Sequence, residues 1–156
     1  MHPRYRKMLE AWEQELRNAP RRPMLAEQGW AKDVPLSAGV YVVWDTKSRR
    51  PWYVGQTTCL RDRMGDAGRP INHTFRRHVQ KQFGLLTHAD IGRRCTISFL
   101  PMAIGRAELE EYLRLRWRGT IVNGVAKRLL KGPQYEWVMP DGRGHKGNGN
   151  GRSSIW

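Results

Sequence analysis

Two short runs of strand-forming residues, Gly39-Val40-Tyr41 and Tyr53-Val54-Gly55, bracket a polar, turn-rich stretch from Asp45 to Pro51. Val and Tyr suit the pleated, half-buried surface of a strand. Two such runs joined by a turn-rich stretch of this length read as a β-hairpin. Ala38 to Trp44 forms the first strand, and Trp52 to Gly55 pairs with it. The pairing constrains everything that follows. Two tyrosines on adjacent strands bring their hydroxyls toward one sheet face, and the glycines beside them let backbone approach another chain or a phosphate closely.

Helical periodicity flanks the hairpin. Over residues 4–17, Tyr5, Met8, Leu9, Trp12 and Leu16 recur at spacings of three and four, which predicts a helix with one face on the core. Asn18 to Pro23 is a basic, proline-containing break, and residues 24–37 are irregular. Leu60 to Met64 begins a short helix that Gly65 ends, and Asp66 to Ile71 forms a loop. A second helix spans His73 to Phe83, a third strand Thr96 to Met102, and a last helix Ala107 to Trp117, stopped by Gly119. The expected order is α-β-β-α-α-β-α, an α+β fold on a small three-stranded antiparallel sheet flanked by helices. Residues 1–23 make an N-terminal helix and basic linker, 24–140 the main domain, and 141–156 a basic, Gly-rich tail too poor in apolar residues to pack.

Charge narrows the partner. Lys and Arg number 28 against 14 Asp and Glu, a net +14 over 156 residues. Such an excess attracts a polyanion, because phosphates draw Lys and Arg and release counterions on binding. DNA is the first expectation and RNA the alternative. The two cysteines, Cys59 and Cys95, belong to no C-x-x-C pair, which excludes a disulfide framework and fits a reducing, cytoplasmic setting. No apolar run approaches the ~18 residues of a membrane span, so no membrane partner is expected.

Cutting a phosphodiester requires a group to hold or deprotonate water, positive charge to offset the phosphate oxygens, and stabilisation of the departing oxygen. A guanidinium suits the second task through its planar, permanently charged fork. One carboxylate, with water and phosphate, suits Mg²⁺.

The two tripeptides, Arg63 ten residues after Tyr53, Leu109-Glu110-Glu111-Tyr112-Leu113 and Ile121-Val122-Asn123-Gly124 occur in that order. Together they resemble the GIY-YIG nuclease superfamily over residues 38–124. The resemblance implies a divalent-metal-dependent endonuclease on a GIY-YIG-like fold. In that reading Tyr41 is the general base or the holder of the attacking water, assisted by Tyr53, and Arg63 offsets charge, with Arg61 as the fallback. Glu110 binds Mg²⁺ or Mn²⁺, with Glu111 and Glu108 as register alternatives. Asn123 organises hydrogen bonds on the metal side.

The chain departs from the pattern at Gln56, where some relatives carry Lys, and at Ala67, where some carry His or Tyr. His73 can take over the missing proton shuttle. Arg76, Arg77 and His78 on the same helix, together with Arg61, are candidate phosphate contacts. Zinc on His73, His78 and the cysteines fits no strong ligand spacing. The size suits a compact stand-alone enzyme of restriction, phage or mobile-element type. The rivals are a binding module that has lost activity and a nuclease for RNA or single strands. Cutting both strands of a duplex requires a homodimer or successive nicks.

Overall fold

The computed structural model describes residues 3–24, 31–67, 74–84 and 87–123. Its elements are α1 (Pro3–Asn18), β1 (Arg22–Pro23), β2 (Gly39–Asp45), β3 (Pro51–Thr57), α2 (Leu60–Ala67), α3 (Thr74–Phe83), α4 (His88–Arg94), β4 (Cys95–Pro101) and α5 (Arg106–Arg116). The expected 141–156 tail and residues 68–71 of the expected Asp66–Ile71 loop lie outside the described residues, as does His73.

The fold is α+β, and the sheet has four strands rather than three, in the order β1-β4-β2-β3. All pairings are antiparallel. The added strand is the two-residue β1, where Arg22 opposes Ile97 and Pro23 opposes Thr96. Its proline reads as a chain break in sequence, but an edge strand accepts proline because one side of its ladder is unpaired. Two further corrections concern helices. Gly65 does not end α2, which continues to Ala67; a mid-helix glycine costs only about 1 kcal/mol. The unforeseen α4 starts at a capping box, with Thr87 and Asp90 each bonding the other's backbone N–H.

The sheet is covered on both faces, which explains why β2 reads Gly-Val-Tyr-Val-Val-Trp-Asp without a polar alternation and is buried at every position. Tyr41, Val43, Tyr53 and Ile97 share one core with Leu60 and Met64 of α2, Phe75 and Val79 of α3, and Ile91 of α4. Val40, Val42, Trp44 and Val54 share the other with Leu9 and Leu16 of α1 and Leu109 and Leu113 of α5. Each such aliphatic side chain contributes roughly 1.5–3 kcal/mol on full burial. A register shift at Val43/Trp44 leaves Trp52 as the extra residue of β3, and its ring stacks on Phe83 at 4.3 Å.

α1 is bound into the domain through Glu13. Its buried carboxylate accepts from Arg17 Nε at 2.9 Å, Trp117 Nε1 at 3.1 Å and Arg116 Nε at 3.2 Å. No described helix is long and apolar enough to cross a membrane.

Candidate active site

Antiparallel register builds the site. Tyr41 stands opposite Gly55, and Tyr53 stands opposite Val43, so the two tyrosines are diagonal neighbours on one face. Their ring centroids lie 6.2 Å apart, and their hydroxyls are hydrogen-bonded to each other. A Cβ on Gly55 would fall 2.5 Å from both Cζ and Oη of Tyr41. The missing side chain is therefore what lets the Tyr41 ring lie across β3. Gly39 has a matching role: a Cβ there would meet the Leu100 carbonyl at 2.5 Å and Leu60 Cδ1 at 2.7 Å.

α2 carries Arg63, and its first turn is anchored by backbone. Leu60 N–H donates to Ser37 O at 2.8 Å and Arg61 N–H to Pro35 O at 3.2 Å. Cys59 N–H donates to Thr57 Oγ1 at 3.2 Å. The side chain of Arg61 joins this anchor, its Nε donating to Val34 O at 2.7 Å. Arg61 thus holds segment 34–37.

Glu110 enters from α5, which packs on β2 and on the edge strand β3. Burial is the main force on both phenols and raises their pKa, Tyr41 well above the ordinary value near 10. The Glu110 charge raises both further, while Arg63 opposes it at both. Of the three candidate glutamates, Glu110 acts on both tyrosines; Glu111 is buried and Glu108 exposed.

Sequence reading missed Arg114. It lies 3.7 Å from Glu110 Oε1 and adds a second positive field at Tyr53. The Glu-to-Arg spacing of four on a helix was its available signal. The site is therefore two hydrogen-bonded phenols with a carboxylate and two guanidinia around them.

Asn123 sits behind the site. Its Nδ2 donates to Val54 O at 2.7 Å and its Oδ1 accepts from Val54 N–H at 3.3 Å. The buried amide thus imitates one residue of a neighbouring strand against the outer edge of β3. Its bonds go to the strand between Tyr53 and Gly55.

α3 abuts the tyrosines through Phe75, whose ring meets Tyr53 edge-on at 5.5 Å. The helix separates the expected arginine pair: Arg76 is buried with Phe75 and Val79, while Arg77 faces solvent and His78 is half-buried. Of the expected phosphate contacts on α3, Arg77 is the most exposed. Tryptophan stacking on bases finds little support among the described residues, because Trp44, Trp52 and Trp117 are buried and Trp12 is half-buried.

A resident metal would rest on few protein ligands. Among the described residues no group of three or more His, Cys, Asp and Glu is placed to hold one. Buried Cys95 is a poor thiolate donor, its thiol pushed up to about 12 by desolvation and then by Asp45. One carboxylate, Glu110, fits a hard cation that keeps several waters and takes further ligands from phosphate, and does not fit zinc.

No family model, curated protein or solved structure matches the chain.

Proposed function

We propose that this chain is a divalent-metal-dependent endonuclease of GIY-YIG type, with DNA as its first substrate. The observation that carries the reading is the pairing of Tyr41 and Tyr53 on adjacent strands, within the electrostatic reach of Arg63 and Glu110 from two helices. Structural tyrosines need no such company. The net charge of +14 supports a polyanionic substrate.

Each group has a task that its surroundings permit. The Tyr41 phenol is protonated at neutral pH, because burial and Glu110 outweigh Arg63. It holds the attacking water by hydrogen bonding, and Tyr53 fixes its hydroxyl. Arg63 offsets charge on the phosphate oxygens as it builds. Glu110 would hold Mg²⁺ or Mn²⁺, which supplies charge to stabilise the departing oxygen. Arg114 pairs with the same carboxylate and keeps it beside the tyrosines.

The test is cleavage of supercoiled plasmid and of single-stranded DNA and RNA, with Mg²⁺ or Mn²⁺ and with chelator. Tyr41→Phe, Arg63→Ala and Glu110→Ala run alongside. Metal-dependent cutting lost in all three variants supports the reading, and the preferred substrate names the polymer. Binding without cutting by the wild type would turn the assignment to a binding module.

A further inference from the structure

The opposite end of the sheet carries a second concentration of charge that the cleavage site does not use. The Arg21 guanidinium lies 4.1 Å from the ring centroid of Trp44. Trp44 packs on Trp117 at 5.7 Å, and Arg17 lies 4.8 Å from the Trp117 ring. Two guanidinia thus lie over two neighbouring indoles. Arg49 joins them from the β2–β3 turn. It is exposed and adopts the left-handed backbone region at φ 57°, fixed by its N–H donating to Asp45 O at 2.8 Å.

Arg17 is paired with Glu13, whereas Arg21 and Arg49 form no ion pair among the described residues. Desolvation comes first, then repulsion from Arg49 and Arg17, in lowering the Arg21 pKa. Among the described residues, Glu13 and Asp45 are already engaged. Glu13 serves Arg17, Arg116 and Trp117. Asp45 is occupied by Arg94 and Ser48. Like charges packed without a counterion oppose folding, and a bound anion relieves them. The Arg21 guanidinium is also pre-placed over the Trp44 indole, which reduces the entropy it loses on binding an anion.

We propose that Arg17, Arg21 and Arg49 form a second phosphate-binding surface, which takes a nucleic-acid segment other than the one at the tyrosines. Geometry separates the two. Tyr41 and Trp44 are three residues apart on β2, about 10 Å along the strand, and they face opposite sides of the sheet. A straight backbone at one surface does not reach the other, so the protein holds two segments, or the two arms of a bent one. The inference rests on the nucleic-acid half of the proposed function and not on cleavage.

The test mixes donor-labelled and acceptor-labelled short duplexes with the full chain and reads energy transfer between them, without divalent metal. Wild type brings the duplexes together. Arg21→Ala/Arg49→Ala reduces transfer to background, retains binding of a single duplex, and makes the log-affinity against log-salt slope shallower by about 1.8, at about 0.9 for each lost phosphate contact. Arg49→Glu leaves Trp44 covered and reduces transfer by itself.

Transfer and slope unchanged in these variants would overturn the proposal. So would a fall in melting temperature with the slope intact, which makes Arg21 a cover for Trp44 and nothing more. Anionic phospholipid vesicles form the contrasting arm: variants that lose vesicle binding but still join duplexes would assign the surface to membrane. Wild type that joins duplexes without cutting them ends the nuclease reading alone; wild type that binds no duplex ends both.

Discussion

The phenol of Tyr41 occupies the space that a side chain on Gly55 would take, with only 2.5 Å between a Cβ there and the Tyr41 Oη. Tyr41 is 2% exposed and has no free direction in which to swing. Gly55→Ala therefore forces either the ring or β3 to shift, and overpacking of this kind costs about 1–3 kcal/mol. The expected result is a lower melting temperature and at least a tenfold loss of cutting. Melting and cutting both at wild-type level would show that Tyr41 is not held by this contact.

Arg61 and Arg63 separate stability from activity within one helical turn. Arg61→Ala removes a charged hydrogen bond to Val34 O, worth about 1.5–3 kcal/mol, and loosens segment 34–37 while the activity of the folded fraction survives. Arg63→Ala leaves melting within about 0.5 kcal/mol and lowers the cleavage rate by about 10²–10³, the usual cost of one transition-state donor. Denaturant titration and single-turnover cleavage of both variants check this. The opposite pattern would make Arg61 the reacting arginine.

The features legible in sequence are those with a local pattern. α1 and α5 announce themselves through three-and-four spacing, the hairpin and β4 through strand-forming residues, and the hairpin alone places Tyr41 beside Tyr53. What escaped depends on partners distant in sequence. β1 is two residues long and becomes a strand only because β4 offers it a free edge. α4 is a short, charged helix whose main signal is the Thr87–Asp90 cap. Arg61 and Arg63 are both cationic on one short helix, and only the carbonyl of Val34 distinguishes them. Asn123 reads as a turn residue until the edge of β3 is placed beside it. Glu110, Glu111 and Glu108 are separated only by which face of α5 meets β3.

Asn123 supplies both a donor and an acceptor to Val54, and two substitutions distinguish its chemistry from its volume. Asn123→Asp keeps the shape and the acceptor but sets an oxygen against the Val54 carbonyl. Asn123→Leu fills the space and satisfies neither group. Each leaves at least one buried backbone group unpaired, at about 1–3 kcal/mol. Both are expected to lower melting and to speed amide exchange at Val54. Metal dependence of cutting in the remaining folded protein is unchanged, because Asn123 bonds the strand and not the carboxylate. A raised metal requirement in Asn123→Asp would return it to the metal side.

Acid stability should turn on Asp45, at the end of β2 remote from the tyrosines. Burial disfavours its charge, but Arg94 Nε at 2.6 Å, Ser48 Oγ at 2.6 Å and Ser48 N–H at 2.9 Å outweigh burial and hold its pKa at about 2, below the ordinary 3.8. A carboxyl depressed in the folded state binds fewer protons there than in the unfolded chain, so stability rises with pH across this window. The contribution, about 2 kcal/mol, is complete above about pH 4 and disappears as pH falls toward 2. Asp45→Asn keeps the bulk, loses the charge opposite Arg94, and removes this part of the acid dependence while lowering stability at neutral pH. Urea titrations of both proteins from pH 7 down to pH 2 read the difference directly. Parallel curves for wild type and Asp45→Asn would mean that the Arg94 and Ser48 bonds leave the acid limb of stability unaffected.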